Sequence, residues 1–257
     1  MIRRRDFLLG ISSFALFTAT KADDQGCNPT QSQDKTLYHV FGTVVTSGDK
    51  QAAAQDILKK ANGKTPYDYM TYLMTIADVP SGIKDRYGND ETYNERWDKF
   101  ANPLIREMFV QIGYPQSVSA GDCTAWCAAT VAWCMKQCGY VFPKKMNLIA
   151  AVDWQGYGKQ VDSPEVGDLV VFKNIDSPGH GHVGFYNDGN KTADTVKVRG
   201  GNQNQPRGKI AVTQCGGGTP NNFIGDHVFP LHPTKDDNTS LRLVGYYRYT
   251  ALPHKNT

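Results

Sequence analysis

Apolar residues change their spacing midway along the chain. "QAAAQDILKKA" (51–61) predicts a short helix closed by Gly63, and "PYDYMTYLMTIA" (66–77) has helical apolar spacing with a proline at its start. "SGIKDRYGNDE" is rich in turn formers, and "YNERWDKFANPLIREMFVQIG" predicts two helical pieces broken near Pro103. "SAGDCTAWCAATVAWCMKQCGY" (119–140) predicts a further helix that Gly139 stops. After Pro164 the runs become short and β-branched or aromatic: "GDLVVFK", "HVGFYND", "TVKVRGG", "KIAVTQ" and "LRLVGYYRYT", separated by Gly, Asn and Pro turns. Helices followed by an antiparallel sheet predict an α+β fold. Residues 23–36 are polar and carry no such period.

The N-terminus reads differently. In "MIRRRDFLLGISSFALFTATKADD" three arginines precede an apolar run, Phe7 to Phe17, and small residues lead to Ala22. That is the layout of a secretory signal over residues 1–22, too short and too diluted to span a bilayer. Arg4-Arg5-Asp6-Phe7-Leu8 resembles the twin-arginine export signal of bacteria, which makes that export machinery an expected partner. The expected location is the periplasm or the medium. The net charge of the chain is +3, and residues 1–22 carry the same +3 (Arg3, Arg4, Arg5 and Lys21 against Asp6), so the remainder is near neutral. A nucleic-acid-binding surface has no support in that balance.

Four of the six cysteines fall between Cys123 and Cys138. No Cys-x-x-Cys pair is present, so the spacing does not suggest a structural zinc site. Cysteines four apart on one helix have near-parallel side chains and bond each other poorly. Bridges are therefore expected to join Cys123 or Cys138 to Cys27 or Cys215, while Cys134 reads as a small hydrophobe on a buried face. Cys127 differs by position. With Thr124 or Asp122 as the cap, it falls in the first helical turn, where free N–H groups and the helix dipole favour a thiolate. A nucleophilic cysteine needs a base. His182 begins a strand and is expected to project its ring towards the helix end; His180 lies close by in a Gly-rich turn. Asn202 in "RGGNQNQ" is the expected group to orient the imidazole, with Gln203 and Asn204 as substitutes.

Five motifs occur in one order: "WCAATV" (126–131), "GDLVVF" (167–172), "GHVGFY" (181–186), "GGNQ" (200–203) and "LVGYYRY" (243–249). From about residue 95 to 250 the chain thereby resembles the papain-like peptidoglycan hydrolases of the CHAP and NlpC type. Thr130 departs from the family, which usually has Phe there. "GDCTAW" also resembles the start of other CHAP domains, which would make Cys123 the nucleophile. Yet the pattern's apolar, aromatic and glycine positions fall on Val131, Trp133 and Gly139 when counted from Cys127, and on Cys127, Ala129 and Met135 when counted from Cys123.

The resemblance implies a papain-like hydrolase domain over 95–250, with residues 23–94 as an N-terminal helical extension. It implies a monomeric cysteine hydrolase of peptidoglycan amides, muramoyl-alanine amidase or stem-peptide endopeptidase, with Cys127 as nucleophile, His182 as base and Asn202 as orienter. That chemistry calls for no metal or organic cofactor. The rival expectations are an antibacterial toxin with the same chemistry and an immunity protein as partner, a non-catalytic wall-binding module, and an acyltransferase or deamidase on the same scaffold. Trp154 in "DWQGYGK" suits either a substrate groove or the core. Replacing Arg4 and Arg5 together by Lys should leave unprocessed precursor in the cytoplasm on cell fractionation; normal periplasmic levels would point to the general secretory route.

Overall fold

The computed structural model describes residues 48–115, 121–190, 194–204, 222–233 and 239–250. The expected signal segment, the polar stretch 23–36, Cys27, Cys215 and the expected strand "KIAVTQ" lie outside them. All the described residues fall in one unit, Lys35–Thr257. Four helices come first: α1 (Gly48–Lys60), α2 (Pro66–Thr75), α3 (Pro103–Gln111) and α4 (Cys127–Gln137). A two-stranded hairpin, β1 (Pro80–Lys84) with β2 (Asp90–Thr92), separates α2 from α3 where only turns were expected.

The second half forms a six-stranded antiparallel sheet from β3 (Lys159–Val161), β4 (Leu169–Asn174), β5 (Gly181–Asn190), β6 (Thr195–Asn204), β7 (Asn222–Pro230) and β8 (Leu241–Arg248). Its spatial order is β3-β8-β4-β5-β6-β7. The protein is α+β, an arrangement compatible with the expected papain-like fold.

Local chemistry explains the helices. Thr65 caps α2: its hydroxyl accepts from the Asp68 N–H while the Asp68 carboxylate accepts from the Thr65 N–H, with Pro66 at the first helical position. Helix α4 is apolar nearly all round, and its residues from Cys127 to Met135 are buried, as a central helix requires. Gly139 ends it at φ 80°, in the left-handed region.

The segment before α3 is not the helical piece expected of it; the single helix begins at Pro103. Asn102 caps α3 by accepting from the Leu104 N–H at 2.8 Å, and its amide donates to the Tyr93 and Glu95 carbonyls at 2.8 and 2.6 Å. Those bonds take backbone acceptors that a helix over 93–102 would need for itself.

The sheet is buried on two faces. Leu169, Val171, Val183, Phe185 and Ile224 join the helices in the main core, whereas Val170, Phe172, Val196, Val198 and Phe229 form a second cluster. Burial on both sides is why "LVVF" is apolar at consecutive positions rather than alternate ones. Ala54, Leu58, Met70 and Leu73 of α1 and α2 belong to the same core as Trp97, Leu104 and α4. The expected boundary at residue 94 is therefore corrected: within 48–94 the chain is part of the domain, because α2 covers α4 and the sheet. Trp154 is fully buried against Phe142 and Tyr157, so the core alternative for it holds. Leu73→Ala, which empties a fully buried site on α2, should lower unfolding free energy by about 2–5 kcal/mol in urea titration. A change under about 0.5 kcal/mol would mean that α2 is a peripheral extension after all.

Candidate active site

Helix α4 starts at Cys127, with Trp126 as the N-cap residue and no side-chain cap. The expected caps do other work. The fully buried Asp122 carboxylate accepts from the Trp97 and Asn102 N–H groups at 3.3 and 3.1 Å. Burial raises its pKa to about 6, against the pull of Arg96 and those N–H groups. The Thr124 carbonyl accepts from Arg96 at 3.3 Å.

Cys127 is only 2% exposed and sits in the main core. Burial pushes its thiol pKa up; the N–H groups of Val183, Ala128 and Cys127 itself act in the opposite direction and do not win. The expectation of a depressed pKa is corrected accordingly. A helix terminus contributes about 0.3–1 kcal/mol at an exposed site, less than the desolvation of a thiolate in an apolar core. The resting group is a neutral thiol turned towards β5 at Val183.

His182 lies one residue from Val183, and that single step decides its direction. Alternate residues of a strand point to opposite faces. Val183 and Phe185 face α4, so His182, paired with Phe172 across β4, faces the other way. Its ring centroid is 6.4 Å from that of Phe172 and 5.2 Å from that of Phe229. The expected projection towards the helix end is therefore not what the structure has. Burial lowers the His182 pKa to about 3, with His227 adding to the effect and Gln203 opposing it. Its Nε2 atom is buried and has no hydrogen-bond partner among the described residues.

Asn202 does not reach the imidazole either. It has φ 58° and sits in an irregularity of β6 between Gly200 and Gln203. Its Oδ1 accepts from Asn222 Nδ2 at 2.8 Å and from Arg96 Nη2 at 3.2 Å. The extra residue brings Gln203, one of the substitutes named from the sequence, to the side of His182, where it is 1% exposed and its Nε2 donates to the Val198 carbonyl at 3.1 Å. His180 lies in an exposed turn, its carbonyl accepting from the Asn174 N–H.

Of the other cysteines, Cys123 is disulfide-bonded to a partner outside the described residues. Cys134 and Cys138 are free thiols, so of the two cysteines expected to offer a bridge, Cys123 forms one and Cys138 does not. Cys134 is fully buried, as a small hydrophobe would be, and burial raises the Cys138 pKa to about 11. Among the described residues, no group of three or more His, Cys, Asp or Glu is placed to hold a metal ion.

The structure thus brings Cys127 and Asn202 to the helix face of the sheet and leaves the His182 ring on the other. Arg96, Asn222 and His227 also surround these residues. Sequence reasoning passed over them because Arg96 stands in a segment read as an ordinary helical piece and β7 was not foreseen.

The His182 environment has a pH signature. Its folded pKa of about 3 lies below the ordinary value of 6.5, so between those values the unfolded chain binds the extra proton. The neutral ring's contribution to stability is complete above pH 6.5 and is lost as pH falls towards 3. Urea titrations of His182→Gln should show a shallower loss of stability over that window than the wild type; equal slopes would place the wild-type ring in water.

Residues 114–204 match the family model of the CHAP domain. No curated protein and no solved structure matches the chain. The matched segment begins just after α3, runs to the end of β6 and contains Cys127, His182 and Asn202. Over that segment the chain is similar to the CHAP domain family.

Proposed function

We propose that the protein is an exported bacterial cysteine hydrolase that cleaves amide bonds of peptidoglycan, at the muramoyl-alanine link or within the stem peptide. The CHAP match over residues 114–204 is the observation that carries this reading. Cys127 as the first residue of α4, with backbone N–H groups directed at its sulfur, supports its assignment as nucleophile.

In the proposed reaction His182 takes the thiol proton and the Cys127 sulfur attacks the amide carbonyl. The Cys127 N–H stabilises the oxyanion. His182 then gives its proton to the departing amine, leaving a thioester. Water hydrolyses that bond, releasing the carboxylate and restoring the thiol. This sequence requires the imidazole on the helix face of β5. The described arrangement is then a resting state, and the strand start must turn over before chemistry. Gly179 and Gly181, which flank His180 and precede His182, are the residues with the backbone freedom for that rotation. Asn202 or Gln203 orients the ring once it has turned.

The opposed faces of Cys127 and His182, together with the neutral thiol, favour one second reading: a wall-binding module without catalysis. Release of soluble muropeptides from purified peptidoglycan, analysed by mass spectrometry, separates the two and identifies the bond. Under the hydrolase reading Cys127→Ala and His182→Ala each abolish release while circular dichroism stays native, and the double variant is no worse than either. Asn202→Ala is milder. Cys123→Ser keeps activity at some loss of stability. An inactive, folded Cys123→Ser beside an active Cys127→Ala would move the nucleophile to Cys123. Binding of peptidoglycan without release by the wild type would establish the wall-binding module.

A further inference from the structure

Arg96 is 3% exposed and lies outside the CHAP segment, yet its side chain reaches into it at three points. Its Nε donates to the Asp122 carbonyl at 2.5 Å, and its Nη2 to the Thr124 carbonyl at 3.3 Å and to Asn202 Oδ1 at 3.2 Å. Its backbone N–H donates to the Asn222 carbonyl at 2.7 Å, and Asn222 in turn donates to Asn202. The guanidinium therefore ties the turn that leads into α4 to the irregularity in β6, and the Arg96 backbone N–H ties that pair to the start of β7.

A buried guanidinium is an expensive way to hold a loop. Desolvation lowers the Arg96 pKa, and the Asp122 carboxylate opposes it. Buried ion pairs of this kind are weak contributors to net stability, and apolar replacements often do as well or better. What an arginine supplies that an apolar residue does not is a rigid fork with several donors in fixed directions. Here the fork sets the distance between the backbone just before Cys127 and the strand that carries Asn202.

We propose that Arg96 is a positioning residue for the cysteine site, acting through the 122–126 turn and Asn202 and making no contact with substrate. The proposal rests on Cys127 being the nucleophile. Its predicted consequence is that the thiol's accessibility and the rate of the chemical step depend on a residue that precedes the CHAP segment by eighteen positions.

The test uses the full mature chain carrying Arg96→Met, Arg96→Lys or the control Arg199→Met. Arg199 is another partly buried arginine, clamped to Asp226 and Thr71 on the helix side of the sheet and remote in role from the cysteine turn. Two quantities are read: kcat and KM for muropeptide release, and the pH dependence of Cys127 alkylation by iodoacetamide, located by peptide mass spectrometry.

Arg96→Met should lower kcat by about a hundredfold with KM within about twofold, as expected when reacting groups shift by an ångström. Its alkylation should be faster, with a midpoint moved down towards the ordinary thiol value of about 8.5, because the loosened turn admits water. Arg96→Lys, which keeps the charge and one donor direction, should recover part of both changes. Arg199→Met should lower the melting temperature without moving the Cys127 midpoint. A folded Arg96→Met with wild-type kcat and alkylation profile overturns the proposal, and so does an Arg199→Met that shifts the midpoint equally. If Arg96→Met does not fold, a wild-type kcat and midpoint in Arg96→Lys also overturns it. The alkylation readout needs no turnover, so a wild type that fails to hydrolyse peptidoglycan but whose midpoint moves in Arg96→Met removes the hydrolase reading and leaves the positioning role standing.

Discussion

Close contact between α4 and the middle of the sheet is the constraint on which the remaining arrangement depends. It is set at Gly201, where an added Cβ would stand 2.4 Å from Thr130 Oγ1 and 2.8 Å from the Trp126 ring. No side chain fits there. Thr130, at the position where the resembling family carries Phe, turns its hydroxyl back to the Trp126 carbonyl at 2.9 Å and so occupies little room. A smaller residue on the helix and none on the strand let the two backbones approach. That approach puts the Val183 N–H at the Cys127 sulfur and keeps water from it.

The same closeness explains the electrostatics. Asp122 and Arg96 are charged groups placed where water is scarce, and each is shifted towards its neutral form by burial while the other resists. Cys127 has N–H donors at its sulfur, and burial prevails over them. His182 meets the mirror condition on the other face, among Phe172, Phe229 and His227. A neutral thiol and a neutral imidazole separated by one strand form a quiet pair. Activity in such an arrangement depends on which face the imidazole occupies.

Helices α1, α2 and α4 were legible because their apolar residues repeat at helical spacing between a proline or a small polar residue and a glycine. Strands β4, β5, β6 and β8 were legible from runs of Val, Phe and Tyr between turn formers. β7 was not: "NFIGDHVFP" breaks its alternation with Gly225 and Asp226, and Asp226 is spent on Arg199 rather than on water. The loop before α3 looked helical because nothing in "YNERWDKFAN" announces that Asn102 and Asp122 will claim its backbone. The direction of His182 was open to inference: Val183 and Phe185 are the apolar residues of that strand, and whichever face they bury, His182 takes the other. The displacement from Asn202 to Gln203 was harder to see, though two adjacent glycines in "RGGNQ" are where a strand most easily gains a residue.

Strand β8 lies between β3 and β4 although, among the described residues, it is the last strand in sequence. During synthesis, β4 pairs with β5 as soon as the hairpin is complete, but its other edge stays open until residues 241–248 leave the ribosome. An exposed edge carrying the consecutive apolar residues Leu169 to Phe172 is a template for pairing with another chain. The nascent protein therefore passes through a period in which its central strand is half-covered. A ribosome stall or a nonsense codon between β5 and β8 would release a product with that edge uncovered and so able to pair with its own copies.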